Sequence, residues 1–220
     1  MSRVFNYEGP VFSSLSRLAD LFWLNLLFIV CCIPIVTIGA ATTALYYVTL
    51  KMAKDEEGYI TKSYFRSFKR NFAQATVIWA MFLFVATILM FDFRIAGGSD
   101  GSMSNVIVVA VFAMVIVVAM VLTYVFPILA KFDNTVLNTV KNAFLISIRH
   151  LPYTILMIVI SIVPVVLIWF FPALLILVLI MFSAVAYINS KFLSKIFALY
   201  MPKEGQEEDP SEAEEGNGEV

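Results

Sequence analysis

The residues that could do chemistry are few, and they do not fall into a catalytic pattern. His150 is the single histidine among the 220 residues, and Cys31 and Cys32 are adjacent, which is a strained geometry for a disulfide. A metal site needs several His, Cys or carboxylate ligands that converge. The glycine-rich stretch at 97–101 lacks the G-K-[ST] ending of a phosphate-binding loop, and no serine has a G-x-S-x-G setting. We therefore expect no catalytic residue, no metal and no cofactor, and we predict that the protein is not an enzyme.

Polar residues inside the apolar runs are the usual pointer to transport, and none of those found here is ionisable. They are Asn25, Thr37, Thr42, Thr43, Thr123, Ser161, Ser183 and Asn189. An ion-coupled pump usually needs a charged residue within the membrane, so this set disfavours that class. Pro34, Thr37, Gly39 and Thr43 are better interpreted as a helix turn and a packing surface, since small residues let two helix backbones approach closely.

The composition requires a membrane. The chain is 61% hydrophobic and has a mean hydropathy of +0.90, whereas a soluble domain is about 45–50% apolar. Lipid must cover part of this excess, and α-helices satisfy their own backbone hydrogen bonds in lipid. We predict an all-α fold, a polytopic transmembrane helical bundle.

Charge is segregated along the chain. Residues 204–220 hold eight acids and no base, which leaves eight acids against 15 bases and a net charge of +7 for the rest. We interpret 1–203 as a single transmembrane domain and 204–220 as a disordered acidic cytoplasmic tail. No basic, aromatic-laced groove indicates nucleic acid, so we expect anionic lipid headgroups as the partner of the basic body.

The apolar run from Leu18 to Leu50 is too long for one crossing. As a single helix it would extend about 50 Å, against a hydrocarbon core of about 30 Å. Pro34 and Gly39 mark the natural break, which favours two short spans joined by a tight turn. A single bent helix or a re-entrant loop is the alternative. The complete set of predicted spans is 20–36, 39–53, 72–93, 105–130, 152–171 and 172–190.

Two charged segments separate these apolar runs. In the first, 51–72, a helical wheel places Ile60, Tyr64, Phe65, Phe68 and Phe72 on one arc and Lys62, Arg66, Lys69 and Arg70 opposite. In the second, 131–150, an apolar arc of Val136, Leu137, Val140, Ala143, Phe144 and Ile148 has Lys141 and Arg149 largely opposite. We interpret both as amphipathic helices at the membrane surface, which either contact lipid only or also dock a soluble partner.

Positively charged loops fix the orientation. Six bases lie in 51–70 and three in 131–150, three follow the last span, and one lies in 94–104. The positive-inside rule places all the base-rich segments in the cytoplasm if there are six spans and both termini are cytoplasmic. Five spans are the alternative, with Arg3 and Arg17 left outside.

A shift of 80 residues reveals a weak internal repeat. It pairs Lys51 with Lys131, Tyr64 with Phe144, Ser67 with Ser147 and Lys69 with Arg149. Each copy reads as an apolar span, a lysine, a polar turn, an amphipathic helix and a second apolar span. Because both charged helices lie on the basic side, the repeat is expected to be parallel.

The sequence also resembles a known family. The turn Ile33-Pro-Ile-Val-Thr-Ile-Gly39, the continuation Ala44-Leu-Tyr-Tyr47, and Glu57-Gly58 followed by Phe65, Phe68, Lys69 and Asn71 are similar to the YesL family of bacterial integral membrane proteins, a domain family of unknown function. The similarity extends over nearly the whole chain except the acidic tail. The resemblance implies a multi-pass protein of the bacterial plasma membrane, often encoded beside carbohydrate ABC importers and polysaccharide-degrading enzymes. It implies no catalytic residues.

These observations leave two functional hypotheses. The first is an accessory or assembly component linked to carbohydrate ABC uptake, which docks transporter components through its cytoplasmic amphipathic helices. The second is a small-molecule permease or channel built from the two repeats. A permease needs a polar-lined cavity near the middle of the membrane, whereas an accessory protein can have a packed apolar interior. The oligomeric state is not predicted.

Overall fold

Pro34 ends the first helix and turns the chain back on itself. In the computed structural model, helix α1 (Pro10–Cys32) and helix α2 (Ile38–Ala53) are separated by a short 3-10 turn at Ile35–Thr37. The Thr37 hydroxyl lies 2.6 Å from the carbonyl oxygens of Cys31 and Pro34 and donates to them. It thereby supplies a partner for the Cys31 carbonyl at the end of α1, while the Pro34 carbonyl also accepts from the Thr37 backbone N–H at 3.0 Å. Arg17 near the start of α1 pairs with Asp55 just after α2, so the two helices form an antiparallel hairpin rather than one bent helix.

The structure describes residues 10–56, 58–97, 102–171 and 176–200. These residues form seven α-helices and contain no strand, which confirms the predicted all-α fold. The predicted acidic tail, 204–220, lies outside the described residues. The helices after α2 are α3 (Ile60–Gly97), α4 (Ser102–Lys131), α5 (Val136–Arg149), α6 (Leu151–Phe170) and α7 (Val178–Ala198).

Helix α2 is the centre of the bundle. Its buried face is built mainly from small residues at Gly39, Ala40, Ala41, Thr43 and Ala44. It contributes to two apolar clusters, one with α3, α4 and the ends of α5 to α7, and one with α1, α3 and α7. Small side chains on α2 let its neighbours approach closely, so packing rather than length holds this 16-residue helix in place.

Helix α3 is one continuous helix of 38 residues. The predicted separate surface helix at 59–72 is instead its first third, and the predicted span at 72–93 is its continuation. At 1.5 Å per residue α3 is about 57 Å long, whereas a bilayer core is about 30 Å thick. The charged first turns therefore extend beyond the length that a crossing needs.

The second copy of the repeat is broken where the first is continuous. Helix α5 ends at Arg149, His150 leaves helical geometry (φ −115°, ψ 42°), and α6 begins at Leu151. Pro152 lacks a backbone N–H and disfavours helical geometry in the residues before it. The residue at the corresponding position of the first copy is Phe72, which permits the helix to continue.

Apart from the short α5, the described helices alternate in direction between two ends of the bundle. The start of α1 and the ends of α2, α4 and α7 lie at the end that carries most of the bases, which we call the basic end. Among the residues that the structure describes, five helical segments are long and apolar enough to cross a membrane, namely Leu15–Cys32, Ile35–Ala53, Ile60–Ala96, Ser104–Lys131 and Leu151–Phe170. The predicted span at 172–190 overlaps α7, whose second half carries Asn189, Lys191 and Lys195, so the sixth crossing stays a prediction. The multi-pass membrane fold fits this arrangement.

Buried polar side chains hold α7 against α1. Asn25 is fully buried; its Nδ2 donates to the carbonyl oxygen of Val178 at 2.9 Å, and its Oδ1 accepts from the backbone N–H of Ser183 at 3.0 Å. The Ser183 hydroxyl donates to the carbonyl oxygen of Leu21 at 2.7 Å. These bonds assign Asn25 and Ser183, two of the polar residues inside the apolar runs, to helix packing.

Candidate functional site at the basic end

The first turns of α3 carry an open cationic groove. Its lining includes Lys62, Arg66 and Lys69 together with Tyr59 and Phe65. The groove has a volume of about 700 Å³, and the Tyr59 side chain beside it is 84% exposed. No acid is among its described lining residues, so the groove is suited to an acidic or anionic partner.

A smaller cavity lies where the ends of α2 and α4 meet the side of α3. It has a volume of about 210 Å³ and is lined by Lys51, Arg66, Arg70 and Lys131. We call it the four-cation cavity. Asp133 also lines it and forms an ion pair with Arg70. Of the predicted docking residues, Arg66 thus lines both the groove and this cavity, whereas Arg70 lines the cavity alone.

Arg149 belongs to a different set of contacts. Its guanidinium carbon lies 5.7 Å from the ring centroid of Tyr200, a cation–π contact, and His150 Nε2 lies 3.2 Å from the Tyr200 hydroxyl. The three side chains tie the end of α5 to the end of α7. The structure therefore gives His150 an interfacial, structural environment.

Lys141 lies on the exposed apolar face of α5, whereas we predicted it largely opposite the apolar arc. Leu137, Lys141, Phe144 and Ile148 recur at helical spacing, and all four are exposed, Leu137 by 73%. The buried face of α5 consists of small residues, Thr139, Ala143 and Ser147. Lys141 is thus beside the apolar stripe rather than opposite it, where a lysine can extend its charge to the lipid headgroups.

The predicted apolar arc at the start of α3 is divided between the protein and its surroundings. Tyr64 is fully buried against α2, with its hydroxyl 3.4 Å from the Ala41 carbonyl oxygen, whereas Phe65 and Phe72 are each 39% exposed. Only part of the arc is therefore available to lipid. The wheel identified the apolar residues but could not assign them to the two environments.

The predicted turn and packing residues lie together at the opposite end of the bundle. A Cβ at Gly39 would lie 2.5 Å from the Ala75 carbonyl oxygen and 2.8 Å from Trp79 Cβ, so α2 and α3 are in close backbone contact there. The Thr43 hydroxyl donates to the Gly39 carbonyl oxygen at 2.9 Å. Trp79 Nε1 donates to the carbonyl oxygen of Ile35 at 2.9 Å and holds the turn after Pro34 against α3.

Sequence reasoning missed four residues of the four-cation cavity as site residues. Lys51 and Lys131 were used only for the topology and the repeat, and Ser67 and Asn71, both buried, were used only in the repeat and the family resemblance. Two signals could have found them. The 80-residue shift pairs Lys51 with Lys131, and Ser67 and Asn71 are four residues apart on one face of a helix.

The described side chains include no group of three or more His, Cys, Asp or Glu that could hold a metal ion. Cys31 and Cys32 are free thiols and are both partly buried. The chemical capacity that the basic end does display is the binding of anions, through arginine and lysine side chains.

The fold and this site define a class, an all-α multi-pass membrane protein with a cationic end. Residues 21–93 match the family model described as "Protein of unknown function, DUF624". The match covers α2, most of α3 and most of α1. It confirms the resemblance to the YesL family, which carries this domain. No curated protein and no solved structure matches the chain.

Proposed function

We propose that this protein is a non-enzymatic accessory or assembly component of carbohydrate ABC uptake in the bacterial plasma membrane. In this proposal it docks transporter components through the cytoplasmic face of α3. The observation that carries the docking step is the open groove in which three cations lie beside exposed aromatic rings. The link to carbohydrate uptake comes from the YesL resemblance.

The orientation follows from charge. The cation-rich loops, the start of α1 and the end of α7 all lie at the basic end, and short basic loops stay in the cytoplasm. We therefore place both termini in the cytoplasm. The groove then faces the compartment in which the nucleotide-binding subunits of an ABC importer would lie.

The two amphipathic surfaces receive different roles. The exposed stripe of α5 is apolar with one lysine, which suits insertion into the headgroup region. The groove on α3 instead places Lys62, Arg66 and Lys69 beside Tyr59 and Phe65, so that three charges accompany its aromatic rings. Such a surface gains more from a partner with acidic side chains than from acyl chains.

The internal polar groups favour this proposal over a permease. Thr49 Oγ1 and Ser190 Oγ are 2.8 Å apart, and Asn189 Nδ2 donates to Ser161 Oγ at 3.2 Å. A permease would present such groups to a cargo in a cavity. Here they bond to one another between helices, as in a packed interior.

The test is co-purification in mild detergent followed by mass spectrometry. Lys62→Ala combined with Lys69→Ala removes two charges from the groove and leaves the four-cation cavity intact. The matched control, Lys191→Ala combined with Lys195→Ala, removes two exposed charges from α7. We expect importer subunits to co-purify with the wild type and the control, and at least tenfold less with the groove variant. Equal recovery with the groove variant, or no importer subunit with the wild type, would refute docking.

A further inference from the structure

We propose that the four-cation cavity is a binding site for a phosphate group. The cavity is formed by three segments that are distant in sequence. Lys51 comes from the last turn of α2, Arg66 and Arg70 from α3, and Lys131 from the last residue of α4. This inference does not depend on the docking proposal: Arg66 lines both sites, but Lys51, Arg70 and Lys131 do not line the groove on α3.

The four cations are not neutralised by their surroundings. Asp133 is the one acid among the described lining residues, and it pairs with Arg70. Within the described part of the chain, Lys51, Arg66 and Lys131 form no ion pair; the Lys51 ammonium lies 5.2 Å from the centroid of the Tyr47 ring. Like charges held around a small cavity repel, and an anion between them would relieve that repulsion.

The net charge of the site fits a phosphate. Four cations and Asp133 give +3, and the C-termini of α2 and α4 each contribute about −0.5 from the helix dipole. The sum is about +2, which attracts a phosphate monoester, of charge about −1.5 to −2 near neutral pH, and less strongly the singly charged phosphodiester of a lipid headgroup.

Neutralising the two helix dipoles is a simpler role for Lys51 and Lys131. It does not account for Arg66 and Arg70, which lie well inside α3.

The wall of the cavity supplies a neutral donor as well. Ser67 is only 2% exposed, and its Oγ accepts from Asn71 Nδ2 at 3.2 Å. Within the described residues its own O–H donates to no acceptor, so it is available to donate to a ligand in the cavity. Two arginines, two lysines and a hydroxyl are the donor types that phosphate oxygens accept from.

The phosphate group can come from a free phosphorylated solute or from a lipid headgroup, and the experiment separates the two sources. In the first arm, the apparent Tm of the purified full-length protein is measured in non-ionic detergent with inorganic phosphate. The reference is the Tm in sodium chloride of equal ionic strength. In a second arm the protein is placed in bilayer discs of phosphatidylcholine alone or mixed with phosphatidylglycerol, and retained lipid is measured by native mass spectrometry. The variants are Lys51→Gln with Lys131→Gln in the cavity and Lys62→Gln with Lys69→Gln in the groove.

We expect a gain in apparent Tm of about 5–10 °C at saturation, in the wild type and the groove variant but not in the cavity variant. A gain with inorganic phosphate supports a free solute. A gain in Tm with phosphatidylglycerol but not with inorganic phosphate, accompanied by selective retention of that lipid, supports a headgroup. If neither probe shifts Tm, or if the cavity variant responds like the wild type, the proposal is overturned. Lys131→Gln alone, at an exposed position, serves as the cavity variant if the double substitution does not fold.

Discussion

The close contact of α2 and α3 at Gly39 leads to a quantitative prediction. In Gly39→Ala the new Cβ would lie 2.5 Å from the Ala75 carbonyl oxygen and 2.8 Å from Trp79 Cβ. Real Cβ contacts are essentially never shorter than 3.0 Å, so α2 and α3 must separate by about 0.5 Å or more. Neither obstructing atom is the end of a flexible side chain, so the separation has to come from the helix backbones.

The magnitude follows from two opposing terms. Overpacking of a close-packed interior costs about 1–3 kcal/mol. Replacing glycine by alanine within a helix returns about 0.5–1 kcal/mol. From the middle of each range, the expected net loss is about 1 kcal/mol, which corresponds to a decrease in apparent Tm of about 2–4 °C for a chain of this size.

The assay is thermal unfolding in detergent, followed by tryptophan fluorescence. Trp79, one of three tryptophans, lies beside Gly39, so its share of the emission reports on this helix pair. The matched control is Gly58→Ala, whose Cβ would meet only Ser63 Oγ at 3.6 Å among the described atoms, an ordinary contact. We expect this control to melt within about 1 °C of the wild type. If Gly39→Ala melts at or above the wild-type temperature, the close approach of α2 and α3 is not the constraint that we infer.

Two further predictions concern helix junctions. Asn25→Leu leaves the Val178 carbonyl and the Ser183 backbone N–H without their side-chain partner, so we expect the free energy of unfolding to decrease by about 1–3 kcal/mol. The same assay would show this as a lower Tm. An unchanged Tm would mean that these bonds contribute nothing net. Pro152→Ala removes the residue that separates α5 from α6, so we expect the two to join into one helix as in α3. The measurement is the distance between spin labels at the exposed positions Leu137 and Ile162, which should become longer. An unchanged distance would show that packing of α5, rather than the proline, sets the break.

Local features of the sequence predicted much of the architecture. Pro34 lacks a backbone N–H, and the run around it is too long for one crossing, so a hairpin was expected and is present. The two amphipathic segments were also recognisable, because their charges recur at helical spacing. The continuity of α3 was not expected, although the absence of a proline near Phe72 was the available signal.

The site residues were predicted less completely. Arg66 and Arg70 were identified as a charged face, but their convergence with Lys51 and Lys131 requires the ends of α2 and α4 to meet beside α3. Contacts between segments 80 residues apart depend on helix packing, which no local pattern encodes. Lys141 was assigned to the wrong side of α5, although its spacing of four residues from Leu137 and seven from Ile148 already places it beside the apolar stripe.

The sequence by itself determined that this chain lies in a membrane, where its helices turn, and which end is basic, because hydrophobicity, proline geometry and charge are properties of short segments. Tertiary structure decided which apolar faces meet protein and which meet lipid. Both environments favour apolar side chains, so hydropathy does not predict that Tyr64 lies in the core while the more apolar Phe65 beside it is 39% exposed. Only the shape of the packing distinguishes them, and that same packing brings the lysines at the ends of α2 and α4 into one cavity.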